Sequence, residues 1–137
     1  MQGKIEIKLI TPNTTNQEAF KFHGHATMVI LRCQTGDFGI LPGRMACSAI
    51  LGDGSLRIVD EEEKRKIAVL GGVFHFENDV LTIITQKAFL PGEIDITATE
   101  IQVKECENRL AYEASAIEKD RIRKELRRAK VLLDVAV

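Results

Sequence analysis

Gly36-Asp37-Phe38-Gly39-Ile40-Leu41-Pro42-Gly43-Arg44 is the most distinctive stretch of this 137-residue chain. Its three glycines permit tight backbone and Pro42 fixes φ, while Ile40 and Leu41 set apolar side chains beside exposed turns. The stretch reads as a rigid loop. Stiff loops with apolar content suit docking against another protein, because little conformational entropy is lost on binding.

On either side of it the sequence reads as short strands. Ile5, Ile7 and Leu9 alternate with Lys4, Glu6 and Lys8, the period-2 pattern of a half-buried strand, which Thr11-Pro12 ends. Phe20 to His25 and Ala26 to Arg32 supply a further β-branched run. Gly52-Asp53-Gly54 between Ala46–Leu51 and Ser55–Val59 predicts a hairpin, and so does Asn78-Asp79 between Val73–Glu77 and Val80–Thr85. Asp60 to Arg65 predicts a polar turn ahead of Lys66–Leu70. Many short strands at about ten-residue spacing, with no helical pattern between them, predict an antiparallel β-sandwich or barrel.

The vocabulary changes at Leu90-Pro91-Gly92. Nine of the ten glycines precede Pro91, all six phenylalanines lie before Leu90, and Ala, Glu, Lys, Arg and Leu dominate afterwards. Val103, Cys106, Leu110, Ala114 and Ile117 form one apolar stripe, and Ile122, Leu126, Ala129 and Leu133 a second. Asp95 is placed to cap a first helix, and Ser115 followed by Glu118 has the capping-box spacing for a second. Helices with one narrow stripe each must pack on each other, on the body, or on another protein.

Composition narrows the function. The formal net charge is −1, which gives no global field toward nucleic acid or an anionic membrane. The longest apolar runs, such as Met28 to Leu31, are too short to span a bilayer, and Met1 to Lys8 has no apolar region of signal-peptide type. Cys33, Cys47 and Cys106 are odd in number and widely spaced, as expected for reduced thiols in a cytosolic setting.

No constellation reads as a self-sufficient catalytic centre. His23 and His25 project to one face of a strand, and His75 is the only other histidine, so a small metal-dependent β-sandwich enzyme is one alternative. No carboxylate lies close by in sequence, and the four-ligand spacing of a structural metal site is missing, so no metal is expected. Ser48 and Ser55 lack a G-x-S-x-G context, and Cys33 and Cys47 have no identifiable His partner. Gly71-Gly72 is followed by no phosphate-loop pattern and reads as a strand bend or bulge. Asp60-Glu61-Glu62-Glu63 reads as a solvated hairpin tip. Lys119 to Lys130 carries a local charge of +5, with Arg121, Arg123, Lys124, Arg127 and Arg128 as its basic face. That face is either simply solvated or a handle for an acidic protein surface, as in a free-standing adaptor. Without interleaved aromatics it does not predict nucleic-acid binding.

The Gly36–Gly43 run resembles the epsilon subunit of bacterial F-type ATP synthases, which carries a G-acidic-x-G-I-L-P-G-H segment there. Gly71-Gly72-Val73-Phe74 matches that family's GG strand start, and the resemblance extends along the chain in length, element order and boundary position. It implies a sandwich of about ten antiparallel strands over residues 1–91, binding the gamma subunit and the ring of c subunits, and a regulatory two-helix hairpin over residues 92–137. It implies a noncatalytic rotor part that couples ion flow to ATP synthesis. Its extended hairpin would inhibit ATP hydrolysis by bringing the basic second helix to the beta subunit, among the alpha and beta partners. The place implied is the cytoplasmic face of the bacterial plasma membrane, reached only through the complex.

The resemblance also assigns contact residues. Asp37 takes the acidic position facing the c-ring loops, with Ile40, Leu41 and Pro42 beside it. Arg44 replaces the usual His at the gamma and c-ring junction, putting a permanent cation where the family has a titrating group. Some members bind ATP through an I/L-D-x-x-R-A motif and two arginines on the second helix. Here Ile94-Asp95-Ile96-Thr97-Ala98-Thr99 keeps Asp95 but has Ala98 for the Arg, and Arg128 matches one helix arginine while Leu132 stands at the other. With those cations gone, ATP binding is expected to be weak or absent, and no cofactor is expected.

Overall fold

The computed structural model describes residues 3–12 and 20–137; Met1 and Gln2 of the Met1–Lys8 stretch lie outside them. Eight strands come first: β1 (Ile5–Ile10), β2 (Phe22–Ala26), β3 (Met28–Cys33), β4 (Gly36–Ile40), β5 (Cys47–Asp60), β6 (Glu63–Glu77), β7 (Val80–Ile84) and β8 (Ala88–Phe89). A short 3₁₀ turn over Pro91–Glu93 leads into helices α1 (Ile96–Tyr112) and α2 (Ala116–Ala136). The sheet order is β2-β1-β7-β6-β5-β3-β4, with β8 paired to β6.

The sandwich followed by two helices is the architecture expected. Its strand plan is not purely antiparallel, because β1 runs parallel to β7, with Ile7 opposite Leu81, so the sheet is mixed. It has eight strands among the described residues rather than about ten, and two of them are long. Gly52-Asp53-Gly54 does not turn the chain; it lies inside the 14-residue β5. Gly71-Gly72 likewise lies inside the 15-residue β6, as a bend with φ of 78° and 117°. The two strands pair in one constant register from Cys47 opposite Phe76 to Asp60 opposite Glu63, interrupted only where Gly52 and Gly71 drop out of the ladder. Both strands bend there together, as strands do when they pass from one layer of a sandwich to the other. The short hairpins sit elsewhere, at Glu61 (φ 60°) and at Asn78-Asp79 (φ 52° and 62°), the last as expected.

Alternation places the core. Ile5, Ile7 and Leu9 are fully buried, and Val29, Leu31, Leu56, Ile67, Phe74 and Leu81 join them from other strands. Phe38 of β4 stacks on Phe74 at 5.8 Å between ring centroids, closing the two layers on each other. Each fully buried side chain of this size contributes about 1.5–3 kcal/mol. Ile67-Ala68-Val69-Leu70 departs from alternation: all four are buried, because helices cover the outer face where Ala68 and Leu70 point.

The helix ends follow the expected caps. Asp95 Oδ1 accepts from the Ala98 amide at 3.0 Å, and Ser115 Oγ from the Glu118 amide at 3.4 Å. The Ser115 amide donates to Glu113 Oε1, so the capping is one-sided and no reciprocal arm from Glu118 is needed. Ile117, placed in the first stripe by its spacing, lies in the first turn of α2 and is 70% exposed. Cys106, Ile122, Ala129 and Val135 are buried outside the main cluster, as a small separate core for the hairpin.

A Cβ on Gly72 would run into the Ile84 carbonyl oxygen, and its φ is positive. Gly72→Ala is therefore expected to cost more than about 2 kcal/mol, from left-handed strain plus a backbone clash. Gly39→Ala, with open space around it, should change stability by no more than about 0.5 kcal/mol. Denaturant unfolding of the two variants checks the contrast.

Candidate functional site

The Gly36–Arg44 stretch is less of a loop than its glycines predict. Gly36–Ile40 pairs as β4 with β3, from Val29 opposite Ile40 to Cys33 opposite Gly36. Only Leu41 onward leaves the sheet. Ile40 is fully buried and belongs to the core, which removes it from the candidate contact residues. Leu41 is 58% exposed and Met45 86% exposed, while Pro42 is half-buried between them. The Gly43 amide donates to Asp79 Oδ1 at 2.7 Å, tying this corner to the β6–β7 turn. The Arg44 guanidinium lies 4.5 Å from the Phe38 ring centroid, a cation–π contact that fixes its direction.

Asp37 is not a free carboxylate. Arg32 Nη1 donates to Oδ1 at 3.2 Å and Arg57 Nη2 to Oδ2 at 2.7 Å. The Arg32 hydrogen bond, followed by that from Arg57, holds its pKa below the ordinary carboxylate value. Glu93 is lowered in the same way, first by the Lys21 ion pair and then by the Leu90 amide.

A second exposed feature lies on the outer face of the β7 side of the sandwich. Ile50 is opposite Val73, Val73 opposite Ile84, and Ile84 opposite Ile10, so four strands contribute one apolar row. Ile50, Val73 and Ile84 are each about half exposed, at 57%, 47% and 51%. Below that row His75 Nδ1 meets Ser48 Oγ at 2.6 Å, and its Nε2 meets Glu77 at 3.1 Å.

The outer face of the other layer is covered by the hairpin. Asp53, with a side chain only 5% exposed, accepts on Oδ2 from Arg127 (3.3 and 3.2 Å) and from Arg128 (3.2 Å). Lys66 pairs with Asp134 at 3.3 Å at the far end. Between the helices Glu125 accepts from Gln102 and Arg109, at 3.3 and 3.4 Å. A cleft of about 360 Å³ lies beside this pair, and Arg121, Lys124, Arg128 and Leu132 line it. The histidines do not converge. His75 is opposite Thr82, Thr82 opposite Lys8, and Lys8 opposite His23, so three strand spacings, about 14 Å, separate the two histidines. His23 instead bonds Glu6 at 3.0 Å. Among the described residues no group of three metal-ligating side chains forms.

Residues 4–91 match the model of the ATP synthase delta/epsilon chain beta-sandwich domain. The chain belongs to the ATP synthase epsilon-chain family. It is 34% identical to the ATP synthase epsilon chain of Brevibacillus brevis over 79% of each chain, and 31% identical to that of Prochlorococcus marinus strain MIT 9301 over 74% of this chain and 72% of the relative. A chain in the mitochondrial ATP synthase of Euglena gracilis shares the fold, with a TM-score of 0.78 at 21% identity, over 99% of this chain and 82% of its own length. As an epsilon chain it is a noncatalytic subunit, and no helix among its described residues is long and apolar enough to cross a membrane.

Sequence reasoning about this epsilon chain located the exposed Leu41–Arg44 corner and the basic second helix. It missed the Ile50–Val73–Ile84 row, whose signal is apolar residues on both phases of β5, β6 and β7 rather than one. It also missed Asp53, which read as a turn residue.

Two outcomes test this geometry. Asp53→Asn should remove about 1–3 kcal/mol of hairpin docking, read as faster amide exchange in α2 with β1 and β7 unchanged. Asp37 and Glu93 have pKa values lowered on folding, so their contribution is present at neutral pH and is lost as pH falls through those lowered values. Thermal stability should thus hold from about pH 7 to 5 and drop below about pH 4, which a pH series of melting curves checks.

Proposed function

We propose that this chain is the rotor epsilon subunit of a rotary, ion-translocating ATP synthase, with residues 1–91 as the docking body and residues 92–137 as a movable regulator. One observation carries the reading: the body has two outer faces, one occupied by the hairpin and the other presenting an uncovered apolar row. An apolar face on an ordered sheet is what a permanent partner covers, and clusters of this kind dominate interface energetics. The gamma subunit is the partner assigned to the Ile50–Val73–Ile84 row. Leu41, Pro42 and Arg44 are assigned to the gamma and c-ring junction, with Asp37 toward the c-ring loops. Similar folds in solved structures support this, since one belongs to the central stalk and c ring of Tetrahymena thermophila mitochondrial ATP synthase, at a TM-score of 0.62 and 12% identity.

The hairpin is held to the body mainly by ion pairs at Asp53 and Asp134 and by a small buried set of side chains. The exposed Lys66–Asp134 pair contributes about 0–1 kcal/mol and the Asp53 contact about 1–3 kcal/mol, so exchange of these contacts for others on the acidic face of alpha or beta is energetically accessible. Arg121, Arg123, Lys124, Arg127 and Arg128 are the residues assigned to that inhibitory contact. The ATP site of some relatives is degenerate here, with Asp95 used as a helix cap, Ala98 carrying no charge and Leu132 lining the cleft. The location follows from the complex: peripheral, on the cytoplasmic face of the bacterial plasma membrane.

Co-expression with gamma and the c ring tests the docking half. Val73→Asp with Ile84→Asp should reduce recovery with gamma by about tenfold or more, while a chain that never co-purifies with gamma overturns the reading. Truncation after Leu90 should preserve assembly and raise ATP hydrolysis by the complex; unchanged hydrolysis would remove the regulatory role of the hairpin.

A further inference from the structure

A groove of about 550 Å³ runs between α2 and the outer face of β5, on the other side of α2 from the Arg121–Leu132 cleft. Arg123, Arg127 and Lys130 reach it from α2 at positions i, i+4 and i+7, one row along the helix. Arg32 and Arg57 face them from β3 and β5. Carboxylates do not balance this charge. Asp37 is shared by Arg32 and Arg57, and Asp53 by Arg127 and Arg128, so each pair of guanidiniums has one negative charge between them. Lys130 makes no ion pair among the described residues, and the third acid in the lining, Asp134, is engaged by Lys66.

Donors are also left over. Arg57 gives Nη2 to Asp37, but its Nε is buried with no acceptor among the described residues. Arg127 gives Nε and Nη2 to Asp53, which leaves Nη1 for another partner. The buried Nε lies out of reach of a ligand, but Arg57 Nη1 and Arg127 Nη1 are open donors that a small acceptor-rich anion can engage. Leu126, Val131 and Gly54 complete the walls, and their low polarity strengthens any charge pairing there. No aromatic ring lines the groove, so it offers a base nothing to stack on.

We propose that this groove is a binding site for a small polyvalent oxyanion of the phosphate class, with Arg57, Arg127 and Lys130 as its donors. The anion bridges α2 to β5 and so favours the folded hairpin. Guanidinium forks and a lysine ammonium around one oxyanion form the charge-assisted, multidentate arrangement that phosphate groups select. The site is separate from the rotor reading and does not depend on it, since it is a property of the isolated folded chain.

Titration of the full chain with pyrophosphate and with inorganic phosphate, without magnesium and at constant ionic strength, tests it by calorimetry and amide chemical shifts. Pyrophosphate should bind saturably at one site, more tightly than phosphate, and slow amide exchange in α2. Lys130→Gln and Arg57→Gln should each weaken binding at least about tenfold, as loss of a charge-assisted contact does. Arg57→Lys, which keeps the charge but removes the guanidinium fork, should recover only part of it. Lys104→Gln, on α1, should have no effect, and circular dichroism establishes that each variant is folded. A response that never saturates, or that Lys104→Gln diminishes equally, overturns the site in favour of general charge screening. Binding of ATP without binding of pyrophosphate also overturns it, because the nucleoside would then carry recognition.

Discussion

β5 and β6 are one long hairpin that bends as a unit where Gly52 faces Gly71-Gly72. Everything else is arranged around that bend. Above it the hairpin pairs with β3, and below it with β7, so a single sheet becomes two layers with one core between them. The bend requires glycine at position 72, because φ is positive there and any side chain would occupy the space of the Ile84 carbonyl. Two outer faces follow, with opposite fates. One keeps Asp53, Ala68 and Leu70 under the helices, and the other keeps Ile50, Val73 and Ile84 open.

The hairpin's grip on the body differs in kind from the core. Inside the sandwich, large apolar side chains are fully buried, and removal of one costs several kcal/mol, about 2–5 for Leu or Ile to Ala. Between hairpin and body, only a few small or β-branched side chains are buried, and the rest is ionic. The Asp53 contact is the exception among these pairs, because its carboxylate is nearly inaccessible while its arginines remain partly solvated. A buried acid with solvated cations is strong when docked, yet it leaves little stranded charge on the helix when undocked. Such a contact suits a part that must both rest and leave.

The sequence was most legible where a single physical rule acts alone. Period-2 alternation in Ile5-Glu6-Ile7-Lys8-Leu9, the Asn78-Asp79 turn and the Asp95 and Ser115 caps all appear where their local chemistry places them. It was least legible where a residue type serves two purposes. Glycine marks turns, but Gly52 and Gly54 permit a bend and the close approach of the Arg32 side chain instead, so a hairpin signal lay inside a strand. Gly36 and Gly39 likewise looked like a loop but belong to β4, where Ile40 is buried. The unbroken apolar run from Ile67 to Leu70 is what a strand covered on both faces carries, a sign that the reading of the sequence passed over. Pairing between Asp53 and α2 had no such sign, since nothing local connects residues 74 and 75 positions apart.

The parallel pairing of β1 with β7 is a contact between distant parts of the chain. Ile7 lies opposite Leu81 and Leu9 opposite Ile83, so the first strand of the chain has its central neighbour near the end of the body. One edge of β1 is matched by β2, close in sequence, but its other edge has no partner until β7 has been made. Contacts so distant along the chain slow the search for the native arrangement. The two helices follow the body in sequence and contribute no residue to the main core, so they close the outer layer rather than build the core.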